Sequence, residues 1–287
     1  GTIFTEGSPS TVVLASDKVY RLADLVGRDP GLKAVIGAWA EHETIIVAAL
    51  SSNEKPSPLV LEDLRFLPPV PDPPKLICVG TNYHDHLREM KVAEVPKFPY
   101  AFLRPNLCLA GHDEDVVLPD WPQFIDWEAE VGLVIGNTGR NFIGDAARQA
   151  IAGYTIVNDI SARDWIVDRP SVGIDWVMQK AWDGFQPTGP WLTPAEFVAD
   201  PNNLAIELTV DGVERQRSNT SAMIFSPVQI VEHLSRIMTL ECGDIIATGT
   251  PAGVGFGQDP RIKLEPGNEM IVTIEGLGLL RNRITRP

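Results

Sequence analysis

Short apolar runs punctuated by glycine, proline, asparagine and aspartate recur along the chain, and runs of that length predict strands more often than helices. Upstream of residue 68, Thr11–Ala15 and Thr44–Leu50 read as strands, with one helix near Lys33–Trp39. Downstream, strands are expected at Leu76–Gly80, Val116–Leu118, Trp127–Ile135, Tyr154–Val157, Leu204–Val210, Ile245–Thr248 and Met270–Glu275. Three helices are expected at Tyr83–Met90, Asp145–Ala152 and Pro227–Met238, the last with Ser226 as N-cap and proline at the first helical position. Between the two groups lies Pro68-Pro69-Val70-Pro71-Asp72-Pro73-Pro74-Lys75. Its five prolines exclude a helix or a central strand and predict a stiff extended connector. The expected organisation is a small α+β domain over 1–67, a proline-rich linker over 68–75, and a mainly β (α+β) body over 76–287 with a few covering helices.

One expected strand carries charge in a pattern. In Asp126-Trp127-Glu128-Ala129-Glu130-Val131-Gly132-Leu133-Val134-Ile135, alternation puts Trp127, Ala129, Val131, Leu133 and Ile135 on one face and Asp126, Glu128 and Glu130 on the other. Like charges so placed repel. Either this face is wet and water screens the repulsion, or a divalent cation lies over Glu128 and Glu130, since hard cations such as Mg²⁺ take carboxylate oxygens. Asp159 ends the apolar run Tyr154–Val157. Read alone it fits a turn former or cap beside Asn158 better than a third acid for the same ion.

On a helix over Tyr83–Met90, His86 and Glu89 are i, i+3 neighbours. A carboxylate beside an imidazole fixes its tautomer and raises its basicity, which suits a base that takes a proton from water; the plain alternative is a surface ion pair. His84 and His86 diverge on a helix and no H-E-x-x-H pattern exists, which argues against zinc. Lys180 sits among aromatics, glycine and proline. It is either part-buried beside a carboxylate, with Asp183 at hand, or reaches out to solvent. The glycine-rich stretch Gly243–Gly255 lacks the Gly-Lys-Ser/Thr of a phosphate loop. Its backbone N–H groups and the Thr250 hydroxyl offer a seat for a carboxylate, the alternative being a tight turn.

Composition narrows the partners. The 287 residues are 44% hydrophobic and 22% charged, an ordinary globular balance that excludes a disordered chain, a coiled coil or a collagen-like fibre. The net charge of −14 repels phosphate backbones and anionic lipid, so no nucleic acid and no membrane is expected as a partner. No apolar stretch approaches the roughly 20 residues a membrane helix needs, and no basic-then-apolar start reads as a signal peptide. The first residue, Gly1, reads as a processed start. Cys78, Cys108 and Cys242 show no paired spacing, which predicts a reducing, cytoplasmic setting, with Asn219-Thr220-Ser221 a chance glycosylation match.

Taken together, these segments resemble the fumarylacetoacetate hydrolase family over Lys75–Ile284. Five ordered motifs carry the resemblance. They are Val79-Gly80-Thr81-Asn82-Tyr83 leading to His86-x-x-Glu89; Glu128-x-Glu130; Asp159-x-Ser161-Ala162-Arg163-Asp164; Lys180 with Asp183 and Pro187-x-Gly189-Pro190; and Gly243-Asp244-Ile245-Ile246-x-Thr248-Gly249-Thr250-Pro251-x-Gly253-Val254-Gly255. The resemblance implies that Glu128, Glu130 and Asp159 hold Mg²⁺ (or Mn²⁺), that His86 with Glu89 activates water, and that Lys180 stabilises developing negative charge. It also implies that Tyr83, Arg163, Gly249 and Thr250 contact the substrate, Thr250 at its carboxylate end. The implied fold is one of twisted mixed β-sheets forming a β-sandwich or roll, assembled as a homodimer. The implied reaction is metal-dependent hydrolysis of a C–C bond in a small 1,3-diketo acid such as an acylpyruvate. Decarboxylation of a β-keto acid of the oxaloacetate type and isomerisation of a hydroxydienoate are alternatives on the same site, and a non-catalytic metal-bound small-acid binding module is another. Three features depart from the family pattern or bear on the substrate. Arg104 stands where relatives often carry lysine, Trp165 and Trp176 flank the region that contributes to the pocket, and Lys91–Phe98 reads as a lid.

Overall fold

The structure, a computed structural model, describes residues 1–167 and 171–287. The N-terminal part contains β1 (Thr2–Thr5), β2 (Ser8–Ala15), β3 (Lys18–Arg21), α1 (Leu22–Val26), α2 (Leu32–Gly37), α3 (Trp39–Ser51) and β4 (Phe66–Leu67), with its strands in the order β3-β2-β1-β4. Thr44–Leu50, expected as a strand, lies inside α3. The run is rich in β-branched residues, but its burial has helical spacing. His42 and Ile46, four residues apart, are buried, while Ile45 and Val47 on either side of Ile46 are exposed. The alanines at 40, 48 and 49 favour the helix further.

The body contains β5 (Leu76–Gly80), α4 (His84–Glu89), β6 (Tyr100–Arg104), β7 (Leu109–Ala110), β8 (Val116–Val117), β9 (Ile125–Asp126), β10 (Ala129–Ile135), α5 (Asp145–Ala150) and β11 (Ile151–Asn158). It continues with β12 (Ser161–Ala162), α6 (Asp164–Val167), α7 (Trp176–Lys180), β13 (Gln186–Pro187), β14 (Thr193–Pro194), β15 (Ala205–Val210), β16 (Val213–Asn219), α8 (Pro227–Ile237), β17 (Ile245–Ala247), β18 (Glu269–Ile274) and β19 (Gly278–Thr285). A six-stranded mixed sheet, β14-β11-β10-β17-β5-β6, faces a five-stranded one, β16-β15-β18-β19-β8. Their inner faces share one core, with Ile77, Val131, Leu133 and Ile156 from the first meeting Ile206, Leu208, Val272 and Leu280 from the second. The mainly β body of mixed sheets with few covering helices is therefore the fold observed. The helix α8 begins as the sequence predicts. Ser226 accepts from the Gln229 N–H, the Gln229 side chain closes the capping box, and Ile230, Val231 and Leu234 are buried. Among the described residues no helix is long and apolar enough to cross a membrane.

The proline-rich stretch 68–75 lies against both parts. Val70 packs with Leu76, Cys108 and Ile245, and the Thr2 hydroxyl donates to the Pro69 carbonyl at 2.7 Å. The N-terminal sheet continues this contact through Ile3, Val12, Val19 and Phe66, which pack with Trp191 of the body.

Two departures concern the acidic strand. The expected strand Trp127–Ile135 starts two residues late: β10 begins at Ala129, and Trp127 and Glu128 link it to β9, which ends at Asp126 and belongs to another sheet. The alternation survives, and Trp127, Ala129, Val131, Leu133 and Ile135 all enter the main core. The second departure is that the acidic face is dry. Glu128, Glu130 and Asp126 are buried, which removes the reading in which water screens their repulsion.

Candidate active site

The strand register brings the acids together. In the antiparallel pair β10–β11, Ala129 faces Asn158 and Glu130 faces Val157, so the start of β10 and the end of β11 meet at one edge of the sheet. There the Asp159 N–H donates to the Glu128 carbonyl at 2.8 Å, and the Glu128 N–H donates to Asn158 Oδ1 at 3.0 Å. On this face of the sheet a Cβ on Gly132 would come within 2.8 Å of the methyls of Thr155 and Val157, so only glycine fits. Glu128, Glu130 and Asp159 each offer an oxygen within 4.8 Å of the others, and all three are buried.

Cations surround this cluster unevenly. Lys180 Nζ donates to Glu128 Oε2 at 2.7 Å, to Asp159 Oδ2 at 2.8 Å and to the Asp159 carbonyl at 3.1 Å. Its partners are these acids and not Asp183, which the sequence had put forward. Arg163 bridges Asp126, through Nε at 2.6 Å, and Glu128, through Nη2 at 2.5 Å. Arg104 pairs with Asp159 through one nitrogen, and its Nε and Nη2 are buried without partners among the described residues. The Ser161 hydroxyl adds a donor to Glu128 Oε1 at 3.1 Å. Glu130 has no cation partner among the described residues; its contact is the Gly249 N–H at 2.6 Å.

The ionisation of the two glutamates follows from this distribution. Burial pushes Glu128 up, but the Lys180 ammonium and the Arg163 guanidinium outweigh it and hold the carboxyl at about 2. Burial pushes Glu130 well above its usual range, and the charges of Asp159 and Glu128 push it further. Four buried carboxylates, Asp126, Glu128, Glu130 and Asp159, thus face three buried cations, Arg104, Arg163 and Lys180. Glu130 is the carboxyl with no cation beside it among the described residues, which disfavours its ionisation, and the oxygens of Glu128, Glu130 and Asp159 are hard donors. A divalent cation fits that donor set and that deficit.

Beside the cluster, α4 places His86 and Glu89 on one face. His86 Nδ1 lies 3.0 Å from Glu89 Oε2, and Glu89 Oε1 accepts from the Gly253 N–H at 2.8 Å. The carboxylate is thereby fixed at both oxygens, and Nε2 of the imidazole has no hydrogen-bond partner among the described residues. The loop before the helix is anchored by Asn82, which donates to the Phe225 and Thr248 carbonyls at 3.0 and 2.8 Å and accepts from the Phe225 N–H at 2.8 Å. A cavity of about 200 Å³ joins the parts: His86, the three acids, Arg163, Lys180 and Thr250 all line it.

The four residues expected to contact substrate occupy different stations. Arg163 lines the cavity, but two of its nitrogens are committed to acids. Thr250 lines it too, yet its hydroxyl donates to the Ala129 carbonyl at 2.9 Å and accepts from Gln216 at 2.8 Å. Gly249 holds Glu130, in a left-handed conformation of φ +97°. Tyr83 is fully buried, its hydroxyl has no partner among the described residues, and burial raises its pKa, with Glu130 adding to the effect. Of the two flanking tryptophans, Trp176 lines the cavity, whereas Trp165 packs edge-on against Trp121 at 4.6 Å. In the segment expected as a lid, Val92 lines the cavity and Phe98 stacks on His233.

Sequence reasoning gave no role to Asp126 or Gln179 and noted Arg104 only as a departure. Asp126 shares the alternation of Glu128 and Glu130, a signal that a third buried acid would need a cation such as Arg163. Gln179 precedes Lys180 on α7 and lines the cavity; nothing in its neighbours in sequence distinguishes it.

The chain is similar to known proteins in sequence and in fold. Residues 75–285 match the family profile described as Fumarylacetoacetate (FAA) hydrolase C-terminal. A mitochondrial oxaloacetate tautomerase of Bos taurus is 41% identical over 222 residues, covering 77% of this chain and 70% of that protein. The crystal structure of 2-hydroxyhepta-2,4-diene-1,7-dioate isomerase from Mycobacterium marinum is 36% identical with a TM-score of 0.68, covering 82% of this chain and 83% of that one. Maleylpyruvate hydrolase from Sphingobium sp. SYK-6, solved in complex with manganese (II) ion and pyruvate, is 28% identical with a TM-score of 0.82, covering 99% of this chain and 98% of that one.

Proposed function

The chain belongs to the fumarylacetoacetate hydrolase family, and we propose that within it the protein is a divalent-cation-dependent keto–enol tautomerase of a short 2-oxo acid. The observation that carries this reading is the opening of the His86–Glu89 pair onto the same 200 Å³ cavity as the three carboxylates. Glu128, Glu130 and Asp159 would hold Mg²⁺ or Mn²⁺. When bound, the ion supplies Lewis-acid polarisation of the substrate's carbonyl and a fixed point for its orientation. His86, its Nδ1 proton directed at Glu89, accepts at Nε2 the proton from the carbon beside the carbonyl, and a proton added to the carbonyl oxygen completes the enol. In ketonisation the same ring returns the proton to carbon. Arg163 and Lys180 orient Glu128 and Asp159, and their charge favours the electron-rich oxygen that develops as the C–H bond breaks. The relatives named as tautomerases support proton transfer over hydrolysis.

A second reading is hydrolysis of an acylpyruvate. It is favoured by the same pair, because an imidazole oriented by a carboxylate can equally take a proton from water, and by the likeness to a maleylpyruvate hydrolase. The test is to incubate the protein with Mg²⁺ or Mn²⁺ and oxaloacetate, following enol by ultraviolet absorbance, and with an acylpyruvate in ¹⁸O-water. Tautomerisation accelerates enol decay without new products. Hydrolysis puts ¹⁸O into a new carboxylate. Inactivity on both, with and without metal, defeats both readings.

A further inference from the structure

The lining of the cavity combines the acid cluster and its cations with apolar side chains that include Met90, Val92, Ile166, Ile174 and Trp176. Trp176 is fixed there, stacked on Phe102 at 4.2 Å and 6° and donating its indole N–H to the Tyr100 hydroxyl at 2.9 Å. Gln179, 3% exposed, also lines the cavity, delivered by the same short helix that delivers Trp176 and Lys180. Its Oε1 is buried with no hydrogen-bond partner among the described residues.

A buried amide left unmatched is unfavourable, and burial of this kind is normally satisfied by protein, water or ligand. The orphaned atom is an acceptor, but the terminal torsion of glutamine is broad and roughly two-fold, so turning the amide puts Nε2 in its place, where it can donate to a ligand acceptor. Among the described residues, the cations lining the cavity are largely engaged by the acids, with Arg163 Nη1 the one guanidinium nitrogen outside these bonds. Lys180 is committed to Glu128 and Asp159, and Arg163 to Asp126 and Glu128. A volume of about 200 Å³ lies below the 300–1,000 Å³ or so typical of sites for larger ligands, so the far end of any substrate stays close to its reacting end.

We propose that Gln179 is a specificity-determining residue whose side-chain amide donates to the second carboxylate of a short 2-oxo diacid. The protein thereby discriminates against 2-oxo acids of the same length with an apolar end. This rests on the reading of the site as one that enolises a 2-oxo acid. An apolar end would leave the amide unmatched, the situation in which a binding site rejects an analogue most strongly.

The test measures exchange of the C3 hydrogens in deuterated water by NMR, for oxaloacetate and for 2-oxobutyrate, with the Mn²⁺- or Mg²⁺-loaded wild type, Gln179→Leu and Gln179→Asn. Loss of one neutral hydrogen bond predicts that Gln179→Leu lowers the kcat/KM ratio of diacid to monoacid about five- to tenfold, chiefly through KM, with partial rescue by Gln179→Asn. An unchanged ratio overturns the inference. So does a parallel fall on both substrates, which would mean that Gln179 acts only by placing Lys180. If the wild type exchanges neither substrate, the enolising reading fails separately. Calorimetric titration of the same two acids into metal-loaded protein then decides the inference, which stands if a wild-type preference for the diacid is lost in Gln179→Leu and falls if the wild type binds both alike.

Discussion

Replacing Glu89 by glutamine isolates the part of the site that moves protons. The carboxylate is 12% exposed at its side chain and is held at both oxygens, by His86 Nδ1 at 3.0 Å and by the Gly253 N–H at 2.8 Å. Glutamine keeps the length, and its carbonyl oxygen stays on Gly253, because turning the amide would set two donors against each other. The NH₂ group then faces His86 Nδ1. Nδ1 must accept, so the ring proton moves to Nε2, where it blocks the nitrogen that has to take a proton from substrate. The loss should be that of a general base, about 10²–10⁴ in kcat, which is roughly 3–5 kcal/mol of barrier at 1.36 kcal/mol per tenfold. Stability should stay within about 1 kcal/mol of wild type, since the bond to Gly253 survives. Steady-state kinetics at saturating metal, with urea denaturation as the control, measures both. Because the pair acts as a unit, the double variant with His86→Ala should be no slower than His86→Ala alone. A Glu89→Gln enzyme within about threefold of wild type, correctly folded and still metal-dependent, would remove the pair from the chemistry.

Three more outcomes follow from the charge distribution and the packing. Glu130 is raised and Glu128 lowered, so they act on stability with opposite sign. Glu128 contributes stability that is present above its unperturbed value of 4.5 and is lost as pH falls towards about 2. Ionising Glu130 destabilises the metal-free protein as pH rises from 4.5 towards its raised value. The thermal shift given by Mg²⁺ or Mn²⁺ should therefore grow with pH, with proton release on binding visible by calorimetry in buffers of different ionisation heat; binding without proton release would contradict this. Lys180→Met strips the cation from Glu128 and Asp159 and should lower stability by about 3–5 kcal/mol in urea, part of it restored by Mn²⁺; an unchanged midpoint would contradict the buried pairing. Gly249→Ala puts a Cβ 2.7 Å from that of Asn82 at a φ of +97° and should cost about 2–4 kcal/mol, while metal affinity measured by titration falls because the Glu130 contact is displaced; wild-type affinity and stability together would refute the role.

What was legible in the sequence was whatever has a period. The alternation through Trp127–Ile135 correctly separated the core face from the acidic face, and the start of α8 was readable from Ser226, Pro227 and Gln229. Thr44–Leu50 was misread because β-branched residues favour strands locally, whereas the surrounding alanines and the spacing of His42 and Ile46 favour a helix. The late start of β10 was invisible, since Trp127 and Glu128, which link β9 to β10, keep the alternation of a continuous strand. Resemblance named Glu128, Glu130, Asp159, His86 and Lys180, and the fold brings all five to one cavity. The partner of Lys180 was misjudged, because sequence proximity favoured Asp183 while the ends of β10 and β11 supplied nearer acids.

The harder part to read is the balance of charge, because it is a property of the cluster and of no residue in it. Taken singly, Asp126 is an acid on a strand, Arg163 a cation after a turn and Arg104 a residue where relatives often carry lysine. Only when the strands close do Arg163 and Lys180 become the reason that buried Glu128 stays ionised, while Glu130 is left with no such partner among the described residues. Removing one cation would leave another buried carboxylate uncompensated. Adding a fourth beside Glu130 would close the deficit and stabilise the metal-free fold, at the expense of the place where a divalent ion gains most. Lys180, Arg163 and Arg104 pair with Glu128, Asp126 and Asp159 and leave Glu130 without a cation among the described residues. That shortfall makes the apo cluster unfavourable and is also what draws in a hard cation.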